Sequence, residues 1–141
     1  MPKTFYVGVK GIIVNKAGQV LVLKKEDEVG KEFWDIPGGR IDSSETISEA
    51  LKRELKEEIT NIGDFEVEIL LTAKRLERDL KDGNGLLLLY YKVKTDLEEV
   101  KISNEHKMHF WVDKNSFKDL DGLEGAYLTK GSKEAIKLVL G

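Results

Sequence analysis

The stretch from Gly39 to Asn61, GRIDSSETISEALKRELKEEITN, constrains this chain more than any other part of it. It sets Glu54, Glu57 and Glu58 within five residues, on a predicted helix that follows a Pro37-Gly38-Gly39 turn. Like charges three and four residues apart destabilise a helix by about 0.2–0.5 kcal/mol per pair. Partial burial raises that cost. A cluster of this kind calls for a cation, and an all-oxygen ligand set suits Mg²⁺ or Mn²⁺.

At about 100° per residue, Ile47, Leu51, Leu55 and Ile59 form one apolar stripe. Glu54, Glu57 and Glu58 fall in an arc of about 100° beside it. Glu49, Lys52 and Lys56 lie on the other side of the stripe. The acidic arc borders the packing face, so its carboxylates are expected to be partly sheltered. The competing reading is a solvated charged face, the usual meaning of a Glu- and Lys-rich helix. Gly38 and Gly39 favour the metal reading, because glycine lets backbone approach a ligand closely. Ser43 or Ser44 is the expected N-cap, and the helix is expected from about Glu45 to Ile59.

The remainder reads as one domain, residues 1–141, of ordinary size. Phe5–Val14 is a predicted strand, and Asn15 to Gly18 carries turn chemistry. Val20–Leu23 is a second strand, and Lys24–Glu32 a charged loop. Phe33–Ile36 is a short apolar run. Phe65–Leu76 alternates with interruptions and reads as a strand. Lys81 to Gly85 is a turn, Leu86–Val93 a buried strand, and Lys107–Val112 another strand. Ser132–Leu140 is an amphipathic helix with Ala135, Ile136, Val139 and Leu140 inward. This order points to an α+β domain, with a mixed β-sheet between helices on its opposite faces.

A net charge of −3 gives no reason to expect nonspecific binding to nucleic acid. The chain has no cysteine, which excludes disulfides and thiolate metal sites. No run approaches the roughly 20 apolar residues of a membrane helix, and the N-terminus lacks the apolar core of a signal peptide. A soluble, cytoplasmic protein with no membrane partner is expected.

The acidic segment resembles the Nudix box, G-x5-E-x7-R-E-U-x-E-E-x-G-U with U a bulky aliphatic. Gly39 opens it, Glu45 follows after five residues, and Arg53-Glu54-Leu55-Lys56-Glu57-Glu58 after seven more. Trp34-Asp35-Ile36-Pro37-Gly38 is similar to the usual lead-in. Thr60 and Asn61 depart from the pattern, which has glycine and an aliphatic residue there. The resemblance implies an α/β/α sandwich of the MutT-like Nudix hydrolase type, which cleaves a pyrophosphate bond in a nucleoside diphosphate linked to another moiety. It implies Glu57 and Glu58 as principal Mg²⁺ ligands, with Mn²⁺ as a substitute. It implies Glu54 as a further ligand or the general base, the Gly38 carbonyl as a backbone ligand, and Arg53 as the residue orienting the glutamates. Glu45 is a supporting acid, or a first-turn glutamate favoured by the helix dipole.

Further out, Glu105 is a candidate ligand or base on a loop, against the plainer reading of an exposed glutamate. His106 is a candidate substrate contact. Lys24 and Lys25 are candidates for substrate phosphates, one of them being expected only to face solvent. Phe5, Tyr6, Trp34 and Trp111 are candidates to stack a base, although strand aromatics are more often core. By elimination among the family's accessory motifs, the expected substrate is a nucleoside triphosphate or related small nucleotide. An RNA 5′-end pyrophosphohydrolase and a nucleotide-binding module without catalysis are the alternatives. Relatives often dimerise, but nothing in this sequence marks a homodimer interface.

Overall fold

The computed structural model describes residues 1–104, 106 and 108–141. Strand β1 (Phe5–Val14) is the spine of an eight-stranded mixed sheet. It pairs in parallel with all ten residues of β6 (Gly85–Lys94), and β5 (Glu66–Arg75) forms the edge beyond, antiparallel to β6. On the other side a tight turn leads from β1 into β2 (Val20–Glu26). Asn15 closes that turn by accepting the N–H groups of Ala17 and Gln19 on its side chain.

β1 and β2 are in register only at Val14↔Val20 and then part. The parting is what makes room for a site. β4 (Gly38–Arg40) pairs antiparallel to β1 along Gly8–Lys10. β7 (Met108–Val112) pairs antiparallel to β2 along Val20–Lys24. β2 also pairs with β3 (Glu32–Asp35), which carries the short β8 (Tyr127–Leu128) in parallel.

Alternation along β1 and β2 sends successive residues to opposite faces. Ile12, Val20 and Val22 enter one core with Trp34, Ile36 and Tyr90. Val9, Ile13, Leu21 and Leu23 enter the other. Helix α2 (Lys130–Leu140) closes the first core with Ala135 and Ile136, and Val139 and Leu140 pack against it, as expected. Helix α1 (Ile47–Glu58) closes the second with Ala50, Leu51 and Leu55. The sheet is therefore sandwiched between helices, the expected α+β arrangement. Among the described residues no helix is long and apolar enough to cross a membrane.

Several boundaries differ from expectation. Thr46, not Ser43 or Ser44, caps α1. Its hydroxyl accepts from Glu49 N while Glu49 reaches back to Thr46 N, a reciprocal capping box. Ile47, placed in the packing stripe from sequence, is exposed, and Ala50 takes that place. Lys24 to Glu26 continue β2 against Trp34 to Glu32, so the expected long loop shrinks to residues 27–31. The interrupted alternation of β5 corresponds to two shifts of register against β6.

Thr60 and Asn61 are explained by what they hold. Thr60 N and Oγ1 both donate to Lys101 O. Asn61 Nδ2 donates to Glu99 O and its Oδ1 accepts from Lys101 N. These side chains fasten the 99–101 segment to the end of α1, a task that a glycine-aliphatic pair cannot perform.

Leu55 is fully buried between α1 and the sheet. Leu55→Ala is expected to cost about 2–5 kcal/mol of stability. Urea unfolding followed by circular dichroism should show a lower midpoint with an unchanged slope.

Candidate active site

The site begins at the Pro37-Gly38-Gly39 crossing, where the chain leaves β3 and joins β1. Gly11 N donates to Pro37 O at 2.8 Å and pins this crossing to β1. Gly38 has φ 149°, and a Cβ there would run into the Val9 carbonyl oxygen. Only glycine fits. Gly38 N donates to Glu58 Oε1 at 2.6 Å. A Cβ on Gly39 would occupy the space of the Glu54 carboxyl group. The two glycines thus bring bare backbone against two acids of α1.

Arg53 organises the outer side of this cluster. Its Nε and Nη2 grip Glu45 at 2.6 and 2.8 Å, a two-point contact. Its Nη1 donates to Glu54 Oε1 at 2.8 Å, its Nη2 to Arg40 O at 3.2 Å, and Glu57 Oε1 lies 3.5 Å from Nη1. The guanidinium holds Glu45 down at about 2, well below the ordinary glutamate value, helped by the Asp42 N–H. Glu54 behaves in the opposite way. Burial, outweighing its Arg53 contact, pushes it above the ordinary value, and the charges of Glu58 and Glu57 add to the rise.

Glu58 is buried on the inner side. Lys25 Nζ is 3.4 Å from its Oε2, and His106 Nε2 stands 2.8 Å from the same oxygen. Burial alone would raise Glu58. His106, Lys25 and the Gly38 N–H outweigh it, so the carboxyl lies below its ordinary value. Ser103 N donates to Glu58 O, which seats the loop that carries His106.

Lys25 also lies 3.6 Å from Asp35 Oδ2, and Lys10 Nζ donates to that oxygen at 2.8 Å. Asp35 Oδ1 accepts from Ser132 Oγ at 2.7 Å and from Ile36 N at 2.9 Å. Burial opposes charge on Asp35, yet Lys10 and Lys25 hold it at about 2, below its usual 3.8. Burial pulls Lys10 below the ordinary lysine value. Lys25 suffers the same burial, but Asp35 and Glu58 carry it above that value. A continuous charged chain, Lys10–Asp35–Lys25–Glu58, therefore fills the gap between the parted strands.

Of the residues expected from sequence, Arg53, Glu54, Glu57, Glu58, Gly38, Lys25 and His106 come together. Two placements differ. Lys24 faces away, donating to Glu124 O at 3.1 Å and lying 3.4 Å from Glu32, because strand alternation puts it on the other face from Lys25. It is buried rather than in solvent. Trp34 is fully buried in the α2-side core, with Nε1 donating to Leu123 O, and cannot stack a ligand. Glu105 lies outside the described residues. Lys10 and Asp35 were not anticipated. Their signal was a lone lysine inside an otherwise apolar strand, and a lone aspartate between Trp34 and Ile36.

Among the described residues no three His, Cys, Asp or Glu side chains converge on a point that would hold a metal ion. The donors nonetheless suit a hard divalent cation in kind. They are carboxylate oxygens that repel one another beside bare backbone, and each is balanced by a protein cation. Glu57 is 59% exposed and is the acid with room to turn.

Beside Lys10 and Asp35 opens a cavity of about 520 Å³. Leu86, Leu88 and Tyr90, alternate residues of β6, form one wall with Leu76. Thr129, Lys130 and Gly131 at the start of α2 form another. Lys74, Arg75 and Arg78 line it as well. The size is that of a small-molecule site with mostly apolar walls.

The NUDIX domain model matches residues 4–130. The chain belongs to the Nudix family. It is a hydrolase of pyrophosphate bonds, in a family that acts on small nucleotides. The chain is 28% identical over 110 residues to 8-oxo-dGTP diphosphatase of Haemophilus influenzae, covering 75% of this chain and 74% of that protein. It is 44% identical over 59 residues to RNA pyrophosphohydrolase of a Marinomonas species, covering 42% of this chain and 34% of that protein. The dihydroneopterin triphosphate pyrophosphohydrolase of E. coli shares the fold, with TM-score 0.75 at 18% identity, over 98% of each chain.

Asp35 supplies a test that needs no substrate. Its carboxyl titrates lower in the folded protein than its usual 3.8. Its contribution to stability is therefore complete above about pH 4 and is lost as pH falls toward 2. Asp35→Asn should destabilise the protein by about 3 kcal/mol at neutral pH, since it leaves buried lysine charge unpaired. The gap to wild type should narrow between pH 4 and pH 2, as read by urea midpoints across that range.

Proposed function

We propose that this Nudix hydrolase cleaves the phosphoanhydride of a small nucleotide, a nucleoside triphosphate or close analogue, using Mg²⁺ or Mn²⁺. The observation that carries the reading is the meeting of Glu54 and Glu58 at the bare backbone of Gly38-Gly39. This meeting lies one ionic chain away from a cavity of nucleoside size. The similarity to the Haemophilus influenzae 8-oxo-dGTP diphosphatase supports the nucleoside triphosphate class.

Glu57, Glu58 and the Gly38 carbonyl are the groups that would hold the divalent ion. When bound, it would neutralise phosphate oxygens and acidify a water. Arg53 keeps Glu54 and Glu57 on the same side through its contacts at 2.8 and 3.5 Å. Glu54 is the proton acceptor in this reading. Its carboxyl is raised above the ordinary value, which brings it nearer to the working pH of a general base. One of its oxygens is held by Arg53, and the other remains to take the proton. Lys25, between Glu58 and Asp35, keeps Glu58 charged and positioned. Glu105 remains a candidate for the same role as Glu54.

The test is a panel of nucleoside triphosphates, nucleotide sugars and triphosphate-ended RNA, with each metal, assayed for released phosphate and pyrophosphate. Glu57→Gln and Glu58→Gln should each lower kcat by about 100-fold or more; thermal unfolding should be unchanged in the exposed Glu57 variant and lower in the Glu58 variant, which leaves Lys25 short of a partner. Hydrolysis at wild-type rates in both variants would defeat the assignment, and nucleotide binding without turnover would favour a binding module.

A further inference from the structure

Lys10 sits where a hydrophobic side chain is the ordinary choice. It points from β1 to the α2-side face of the sheet, the same face as Ile12, and its side chain is only 10% exposed. Burying an ammonium is costly even when paired. An ammonium has three N–H donors. Asp35 Oδ2 takes one at 2.8 Å, and Ile36 O takes a second at 3.3 Å. One donor is left, and Lys10 lines the 520 Å³ cavity.

The acceptors around it are already in use. Asp35 receives Ser132 Oγ, Ile36 N and Lys10, while Ser132 Oγ receives Thr129 Oγ1 at 2.7 Å. Beside Lys10 the floor of the cavity therefore offers a hydrogen-bond donor and no spare acceptor on Asp35 or Ser132, while the Tyr90 hydroxyl and Glu77 line the cavity farther out. Asp35 cancels the charge of Lys10, Lys74 and Lys130 farther out are paired with Glu134 and Glu77, and Leu86 and Leu88 wall the space next to Lys10 with hydrocarbon. A neutral acceptor suits this floor better than an anion does. The edge of a base remote from its sugar is the part that would lead into such a pocket.

We propose that Lys10 is the specificity-determining residue of the base pocket, selecting nucleotides whose base carries a carbonyl, rather than an amino group, on the edge remote from the sugar. An amino group there would meet the ammonium donor to donor and leave both unsatisfied. The proposal rests on the nucleotide reading above and names the substrate class within it.

Matched pairs that exchange the carbonyl for an amino group there, with the adjacent ring nitrogen changing from N–H to a bare acceptor, test it: inosine against adenosine nucleotides, and uridine against cytidine nucleotides. Two readouts are needed. One is kcat/KM for the triphosphates with Mg²⁺. The other is calorimetric binding of the monophosphates in EDTA, which needs no catalysis. Wild type should favour the carbonyl partner by about 10- to 100-fold in both. Lys10→Met should bring each pair to within about two-fold. Lys10→Gln keeps a polar side chain at the site should the methionine variant fail to fold. Its amide can turn to donate or accept, so it should also lose the preference. Equal or inverted preference in wild type, or a preference that survives in a folded Lys10 variant, overturns the proposal. Monophosphate discrimination without any turnover would sustain Lys10 as the reader while refuting the hydrolytic assignment of the substrate. Turnover without discrimination would do the reverse.

Discussion

The Asp35 carboxylate between two lysines is the interaction on which the rest of this structure depends. It occupies the gap that opens when β1 and β2 part after Val14↔Val20. The backbones that border the gap pair with β4 and β7, which leaves its polar side chains in need of partners. Asp35 fills it with acceptor capacity. One oxygen takes the hydroxyl of Ser132 from α2 and the N–H of Ile36, and the other faces Lys10 of β1 and Lys25 of β2. Two strands and a helix that do not otherwise meet here are joined through one side chain. The arrangement is electrostatically costly, and a well-packed apolar plug would often be at least as stable. Its retention makes sense if the charges serve the cavity on one side and Glu58 on the other.

The acids in and just before α1 are separated by their neighbours more than by their positions. Glu45, Glu54 and Glu58 are the same chemical group, yet they are held low, high and low. An exposed arginine grip governs Glu45. Burial governs Glu54. Glu58 is buried as well, but His106, Lys25 and a backbone N–H overcome that burial. A helix wheel shows which glutamates share an arc. It cannot show which of them meets an arginine and which meets bare backbone, and that decides their chemistry.

Much of the fold was legible because it rests on local rules. The strand at Phe5–Val14, most of the apolar period of α1 and the turn chemistry at Asn15 and Lys81 survive in the structure. The acidic cluster and its glycines were legible too, since their spacing is a strong motif. What escaped were features made by distant pairing. Lys24 and Lys25 are adjacent and chemically alike, but alternation sends one to Glu32 and the other to Glu58. Trp34 lies two residues before Ile36 in the core period, so it is buried rather than free to stack. β4 and β8 are three and two residues long, too short to carry any periodic signal. Lys10 and Asp35 lie 25 residues apart and acquire meaning only as a pair.

The Thr60-Asn61 clamp carries a consequence for how this chain can change. Three of its four bonds run from a side chain to main-chain atoms of Glu99 and Lys101, and the fourth joins two backbones. The identities of Glu99 and Lys101 are therefore nearly free to vary, while Val100 packs against the α1-side core and the path of the segment is fixed. Beyond it, Ile59 bridges Ile102, and Ser103 docks on Glu58, which delivers His106 to the acidic cluster. An insertion or deletion between Lys101 and His106 would move the imidazole away from Glu58, whereas substitutions at Glu99 or Lys101 would leave it in place. The segment acts as a ruler: its length, far more than its composition, is what sets the imidazole against the acidic cluster.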